Sequence, residues 1–172
     1  MDIELGDASD VAIVPLPIER WPEFKRPWLD ALAREPDAFT ARIEDAIAFP
    51  DEAWRQRLAN PDAVLRFAEH AGRLVGMAGT SFAAHDAPDV AVVFGVYVDS
   101  AHRGHGIGRR LIAAVLDDLV DRGTIRTARL GVNGDRQAAL ALYRSLGFAV
   151  VGREERGEPR PLVELTMERP IR

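Results

Sequence analysis

The chain has 172 residues, 47% of them hydrophobic, which is enough for a sizeable core and predicts one domain over 1–172. Its 27 acidic against 22 basic residues, a formal net charge of -5, argue against a nucleic-acid partner, and its lack of cysteine excludes disulfides, a thiol nucleophile and a cysteine-ligated metal. The acidic start Met1-Asp2-Ile3-Glu4 has no signal-peptide pattern and no apolar run nears the roughly 20 residues of a membrane span, so a cytoplasmic protein with no membrane contact is expected.

Residues 11–16 are apolar and punctuated by Pro15 and Pro17, which predicts an edge strand. Trp21, Phe24, Trp28, Leu29 and Leu32 recur at helical spacing over 18–34. Pro22 suits the first turn of that helix, Pro27 predicts a kink or split, and Glu35-Pro36-Asp37 stops it. Phe39, Ile43, Ile47 and Phe49 suggest a short helix, and Asp51 opens another that ends before Asn60-Pro61. Residues 63–70 and 73–83 are strand-like and meet at Ala71-Gly72 as a tight hairpin. A polar loop, 84–89, leads to the unbroken β-branched and aromatic run 90–98, which predicts a central strand buried on both faces.

Past Asp99-Ser100 the chain reads Arg103-Gly104-His105-Gly106-Ile107-Gly108, then an amphipathic helix over 106–122. Its inward stripe is Ile107, Leu111, Ala114, Val115, Leu119 and Val120, and Gly123 caps it. Residues 126–132 alternate as a strand, Asp135 can cap a helix over 136–146, and Gly147 ends that helix. Residues 148–152 and 161–167 form a closing pair of strands joined by the polar stretch 153–160. The sequence carries no internal repeat, low-complexity segment or linker.

The glycine-rich loop carries the first chemical signal. Glycines before a helix let backbone N–H groups face inward, and the first helical turn adds unpaired donors and the positive end of the helix dipole. That combination suits a phosphate or pyrophosphate. Arg109 and Arg110 place positive charge on the same turn, which is locally unfavourable unless an anion is present. A Walker loop is excluded because this loop has no lysine, and a dinucleotide fingerprint because its third glycine position holds Arg109. The pattern is R-x-x-G-x-G after a strand ending Val96-Tyr97-Val98-Asp99.

This arrangement resembles the acyl-CoA-binding motif of the GNAT superfamily of N-acetyltransferases. A second stretch, Leu130-x-Val132 followed by Ala138-Ala139-Leu140-Ala141-Leu142-Tyr143-x-x-Leu146-Gly147-Phe148, resembles that family's second CoA-side motif. The resemblance covers about 63–168 and implies an α/β fold, a mixed, mostly antiparallel sheet of six or seven strands with about four helices, its middle strands splayed to admit the cofactor. It implies acetyl-CoA as co-substrate, held by Val96, Tyr97, Val98, Arg103, Gly104, His105, Gly106, Ile107, Gly108 and Arg109. It further implies Tyr143 as the general acid that protonates the departing thiolate, and the Val98 backbone amide as donor to the thioester carbonyl. The asparagine that members often carry seven residues before the tyrosine is Arg136 here, and its role passes neither to Arg136 nor to Asn133.

The strand 90–98 has no internal acid for a general base, which leaves Asp89 at its start or His85 before it. His102 and His105 are three apart, yet without a further ligand nearby they do not make a metal site, and none is expected. Trp21, Trp28, Phe39 and Trp54 either wall an acceptor pocket or belong to the core. The reading favoured by sequence is acetyl transfer to a small-molecule primary amine such as a polyamine, amino acid or aminated antibiotic. The alternatives are a protein N-terminus or lysine as acceptor, and a non-catalytic acyl-CoA sensor, against which the presence of Tyr143 argues. A wide acidic cleft would favour a protein acceptor and a closed aromatic pocket a small one. An exposed edge strand would allow a homodimer.

Overall fold

The computed structural model describes residues 10–82, 87–157 and 162–172. Seven strands form one sheet: β1 (Ala12–Val14), β2 (Ala63–His70), β3 (Arg73–Ser81), β4 (Val90–Val98), β5 (Thr127–Asn133), β6 (Ala149–Arg156) and β7 (Leu162–Pro170), in the order β1-β2-β3-β4-β5-β7-β6. Alternation, reset by one extra residue in β3 between Leu74 and Gly76, decides which side chains go to which face. Phe67, Leu74, Met77 and Tyr97 point to one face, and their neighbours Ala68, Val75, Ala78 and Val98 to the other. The β2–β3 hairpin turns through Ala71 at φ 48° and Gly72 at φ 73°, two successive left-handed residues that match the twist of the flanking strands.

Every neighbouring pair is antiparallel except β4 and β5, which run parallel. Their ladder is short, pairing only Val90, Ala91 and Val92 with Thr127, Ala128 and Arg129. Beyond it the strands part, and residues 93–98 of β4 face residues 130–133 of β5 across an opening. The strand spans 90–98 as its sequence predicts, with a bulge inside it. Gly79 pairs with Phe94 while Met77 pairs with Tyr97, so β4 carries one extra residue against β3. Gly95 lies in that bulge at φ 64°, a left-handed conformation that favours glycine, and an added Cβ would meet Trp28 at 3.1 Å. A bulge bends its strand and raises the local twist, which separates the two strands beyond Val92.

Helices α1 (Trp21–Arg34), α2 (Ile43–Ile47) and α3 (Asp51–Ala59) lie over one face. Phe24, 1% exposed, is the hub of that layer, with edge-to-face contacts to Trp28 at 5.9 Å and to Trp54 and Phe67 at 5.5 Å each. Trp54 is fully buried there, and Trp21, Trp28 and Phe39 pack against the same cluster. Trp54 is therefore core and does not wall a pocket. Pro27 does not split α1 into two helices; it is buried within one continuous helix.

Helices α4 (Ile107–Arg122) and α5 (Gln137–Ser145) cover the other face. The buried stripe of α4 is Ile107, Leu111, Ile112, Val115, Leu116 and Leu119, while Val120 is 46% exposed and lies outside it. Helix α5 starts later than expected, with Arg136 as its N-cap residue. Asp135 does not cap it: Asn133 Oδ1 accepts the Asp135 N–H at 2.9 Å, so the turn after β5 is built by the asparagine. The closing strands run beyond 148–152 and 161–167, because the β6–β7 ladder extends to the pair Arg156 and Leu162 and β5–β7 pairing extends to Pro170. Among the described residues, no helix is long and apolar enough to cross a membrane.

Candidate active site

The opening between β4 and β5 organises the site. Tyr97 and Asp99 turn their N–H groups toward β3, as the bond from Asp99 N–H to Val75 O at 2.8 Å requires. Antiparallel alternation then directs the N–H of Val98 to the opposite edge, into the opening. The carbonyl of Val98 accepts from Arg103 Nε at 2.9 Å, which folds the arginine back along the strand end. The Tyr97 side chain goes elsewhere, into the core under α1.

After β4, one turn of 3-10 helix (Ser100–His102) leads into the glycine loop. Gly104 has φ 80° and Gly106, the N-cap residue of α4, φ 74°, and nothing lies within 4 Å of a Cβ added to either. Glycine is required there for backbone conformation, not for want of space. Gly108 differs: an added Cβ would meet Leu142 at 3.3 Å and Val98 at 3.8 Å, so this glycine lets α4 lie close against β4 and α5. His105 is exposed and Ile107 is buried. No side chain caps the N-terminus of α4, so its first amides and the dipole behind them form an anion cradle beside the opening. Arg109 bonds Ser145 Oγ at 2.7 Å at the rim of that cradle, and Arg110 turns back to Val11 O at 2.6 Å.

Tyr143 comes from α5 on the face that carries α4. It is 8% exposed and packs in the cluster containing Leu130, Val132, Leu140 and Phe148. Burial pushes its phenol up to about 12; Arg136 pulls it down and Glu35 adds to the rise. At neutral pH it is a protonated donor.

Glu35 is a site residue that reads in the sequence only as part of a helix stop. At the C-cap of α1 it is 14% exposed and pairs with both Arg103 and Arg136. It thereby ties the segment that follows β4 to the segment that follows β5 across the open end. The single turn that follows, Pro36–Ala38, reaches β5. Only the separation of Glu35 from Arg103 and Arg136 in the chain concealed the cluster.

The candidate bases fall differently. His85 lies outside the described residues. Asp89 is at the closed end of the two strands, where its carbonyl accepts the N–H groups of Arg126 at 2.7 Å and Thr127 at 3.1 Å. At ~3.3 Å per residue, the length of β4 separates it from Val98. The strand that opens the sheet thus carries this acid away from the chemistry, and Asp89 does not join the site. Among the described residues, no group of three His, Cys, Asp or Glu side chains is placed to hold a metal.

Residues 19–148 match the model of the acetyltransferase (GNAT) family. The chain is 38% identical over 133 residues to the N-alpha-acetyltransferase RimI of Mycobacterium tuberculosis, a match covering 74% of this chain and 82% of that protein. A shorter match, 42% over 60 residues, links it to the [ribosomal protein bS18]-alanine N-acetyltransferase of Escherichia coli, covering 35% of this chain and 40% of that one. Its fold is that of a GNAT-family acetyltransferase from Streptococcus pneumoniae, with a TM-score of 0.82 at 20% identity over 94% of this chain and 99% of that one. A putative acetyltransferase from Salmonella typhimurium, solved with its cofactor acetyl-CoA, superposes with a TM-score of 0.74 at 20% identity over 94% of each chain. With a splayed parallel pair, an uncapped helix N-terminus beside it and a buried tyrosine opposite, the chain belongs to the GNAT family and is an acetyl-CoA-dependent N-acetyltransferase.

Proposed function

We propose that the acceptor is the α-amine of a protein N-terminus, in place of the small-molecule amine that the sequence alone favours. The match over 82% of a relative named as an N-alpha-acetyltransferase carries this reading. The shape of the acceptor side supports it. Helices α1 to α3 pack over β2, β3 and β4, and the same face of β5, β7 and β6 presents Arg129, Glu168, Glu164, Glu154 and Arg156, half-buried or exposed. A polar floor of this kind can receive an extended chain end and its ammonium group.

In this reading the α4 amides, with Arg103 and Arg109 at the rim, hold the pyrophosphate of acetyl-CoA, which supplies the activated thioester. The Val98 N–H donates to the carbonyl oxygen as negative charge develops there. Tyr143 holds its proton at neutral pH and gives it to the leaving sulfur. Arg136, near Tyr143, favours the momentary phenolate that results.

The test is CoA release from acetyl-CoA with three probes: a decapeptide bearing a free N-terminal alanine, the same peptide N-terminally blocked but carrying an internal lysine, and spermidine. The reading expects kcat/KM for the free-N-terminus peptide to exceed the others at least about tenfold, ~1.4 kcal/mol of transition-state discrimination. Equal or better turnover of spermidine would return the acceptor to the small-amine class.

A further inference from the structure

A primary amine is an ammonium ion at neutral pH, and it must lose a proton before it can attack. The site built so far includes a donor for the sulfur, and three of its neighbouring acids are not placed to receive that proton. Glu35 is engaged by two arginines, Asp89 is at the closed end of β4, and Glu168 stands opposite Arg129, which lies within the closed β4–β5 ladder.

We propose that Glu164, reaching across from β7, is the group that takes the proton from the attacking amine. Glu164 pairs with Asn133 of β5 on one side and Glu154 of β6 on the other. Its Oε2 lies 2.6 Å from Arg156 Nε, which anchors the carboxylate. Its Oε1 leans over the backbone of Gly131, so that a Cβ added to Gly131 would stand 2.5 Å from it. The glutamate thus fills the space of a β5 side chain on the strand that borders the opening. This works only because residue 131 is glycine. With 24% of its side chain exposed, Glu164 can pass a proton on to water.

The faces agree with the chemistry. Leu130 and Val132 pack on the side of α4 and α5 with Tyr143. Gly131 alternates to the other side, the side of α1 and the Pro36–Ala38 turn. Acid and base therefore approach the opening from opposite faces. Glu164 removes one proton from R–NH3+, and the freed nitrogen lone pair forms the C–N bond. The C–S bond breaks, and the sulfur keeps that electron pair and takes the Tyr143 proton. The second proton on nitrogen returns through solvent to the Tyr143 phenolate, and Glu164 releases its own proton to water. One proton is released per acetyl group transferred, as the overall reaction requires.

This inference rests on the acetyl-transfer reaction and not on which amine is the acceptor. The experiment compares wild type, Glu164→Gln and the double variant Glu164→Ala/Gly131→Glu. It uses the N-terminal alanine peptide from about pH 6.5 to about 9.5, a span that brackets an α-amine ionising near 8, or, where the wild-type enzyme acetylates it faster, spermidine up to about pH 10.5, since an alkyl amine ionises near 10.4. Glu164→Gln should lose on the order of 10²-fold in kcat near pH 7. Its melting temperature and its thermal shift with acetyl-CoA should stay unchanged. The deficit should narrow toward high pH, where the amine loses its proton unaided. The double variant, with its carboxylate presented from β5 instead, should regain at least about tenfold over Glu164→Gln. Turnover of Glu164→Gln within about twofold of wild type near pH 7 would overturn the proposal. So would a deficit constant across the pH range that the double variant does not relieve. The choice of probe reports on the acceptor alone, so failure of the N-terminal reading and failure of the Glu164 role give different results.

Discussion

Tyr143→Phe removes one oxygen from a ring that is 8% exposed and leaves its packing against Phe148 in place. If Tyr143 supplies the proton to the leaving sulfur, kcat should fall by ~10²–10⁴, about 3–5 kcal/mol of barrier, with the thermal shift by acetyl-CoA preserved. The same oxygen has a second, independent signature. Burial holds the folded phenol up to about 12 against an ordinary value of 10.0, and the chain has only two tyrosines. The unfolded chain ionises first, so the stability tied to this group is fully present below pH 10 and is lost as pH rises through about 12. The complete loss is worth on the order of 3 kcal/mol, and by pH 11 about half of it is gone. Going from pH 9 to pH 11 in urea unfolding should therefore cost wild type on the order of 1 kcal/mol more than Tyr143→Phe, since the other titrating groups are common to both. Tyrosinate absorbance in a Tyr97→Phe background reads the same ionisation directly. Adding Arg136→Ala there should move it higher, because Arg136 is the group that lowers it. Turnover within about twofold of wild type, together with identical alkaline losses, would refute both the acid role and the burial that underlies it.

Gly106→Ala should separate the loop from the fold. At φ 74° with nothing within 4 Å of the new methyl, its cost is backbone strain of ~1–2 kcal/mol, or a few degrees in melting temperature. The redirected amides at the start of α4 should abolish the thermal shift with acetyl-CoA. A variant that melts a few degrees lower yet keeps the full shift would remove the loop from the cofactor site. Phe24→Ala should destabilise by ~3–5 kcal/mol in urea titrations, since Phe24 is 1% exposed and holds Trp28, Trp54 and Phe67 together. A loss under about 1 kcal/mol would mean that the α1–α3 layer closes over the gap.

Local patterns made much of this protein legible. The loop from Arg103 to Gly108 and the stretch ending Tyr143-x-x-Leu146-Gly147-Phe148 each carry their pattern within a few residues, where backbone conformation is set by neighbours in the chain. The hairpin at Ala71-Gly72 and the Gly123 stop of α4 were readable for the same reason. Local signals misled where a tertiary contact overrode them. Pro27 reads as a break, but α1 continues through it with the ring on the buried side. Val120 fits the apolar period of α4 yet falls just outside the stripe that meets the sheet.

The sequence by itself determined the family, the glycine loop before α4 and the helix that carries the tyrosine, because each depends on residues adjacent in the chain. Only the tertiary structure decided where charge gathers around the opening. Glu35 meets Arg103 and Arg136 from 68 and 101 residues away, and Glu164 covers Gly131 from a strand that is its neighbour in the sheet and not in the chain. The same is true of Asp89. Its place beside the central strand looks favourable in one dimension, and the short β4–β5 ladder fixes it at the closed end. A carboxylate's role depends on what lies within a few ångströms of it, and here those neighbours come from separate strands and helices that only the folded sheet brings together.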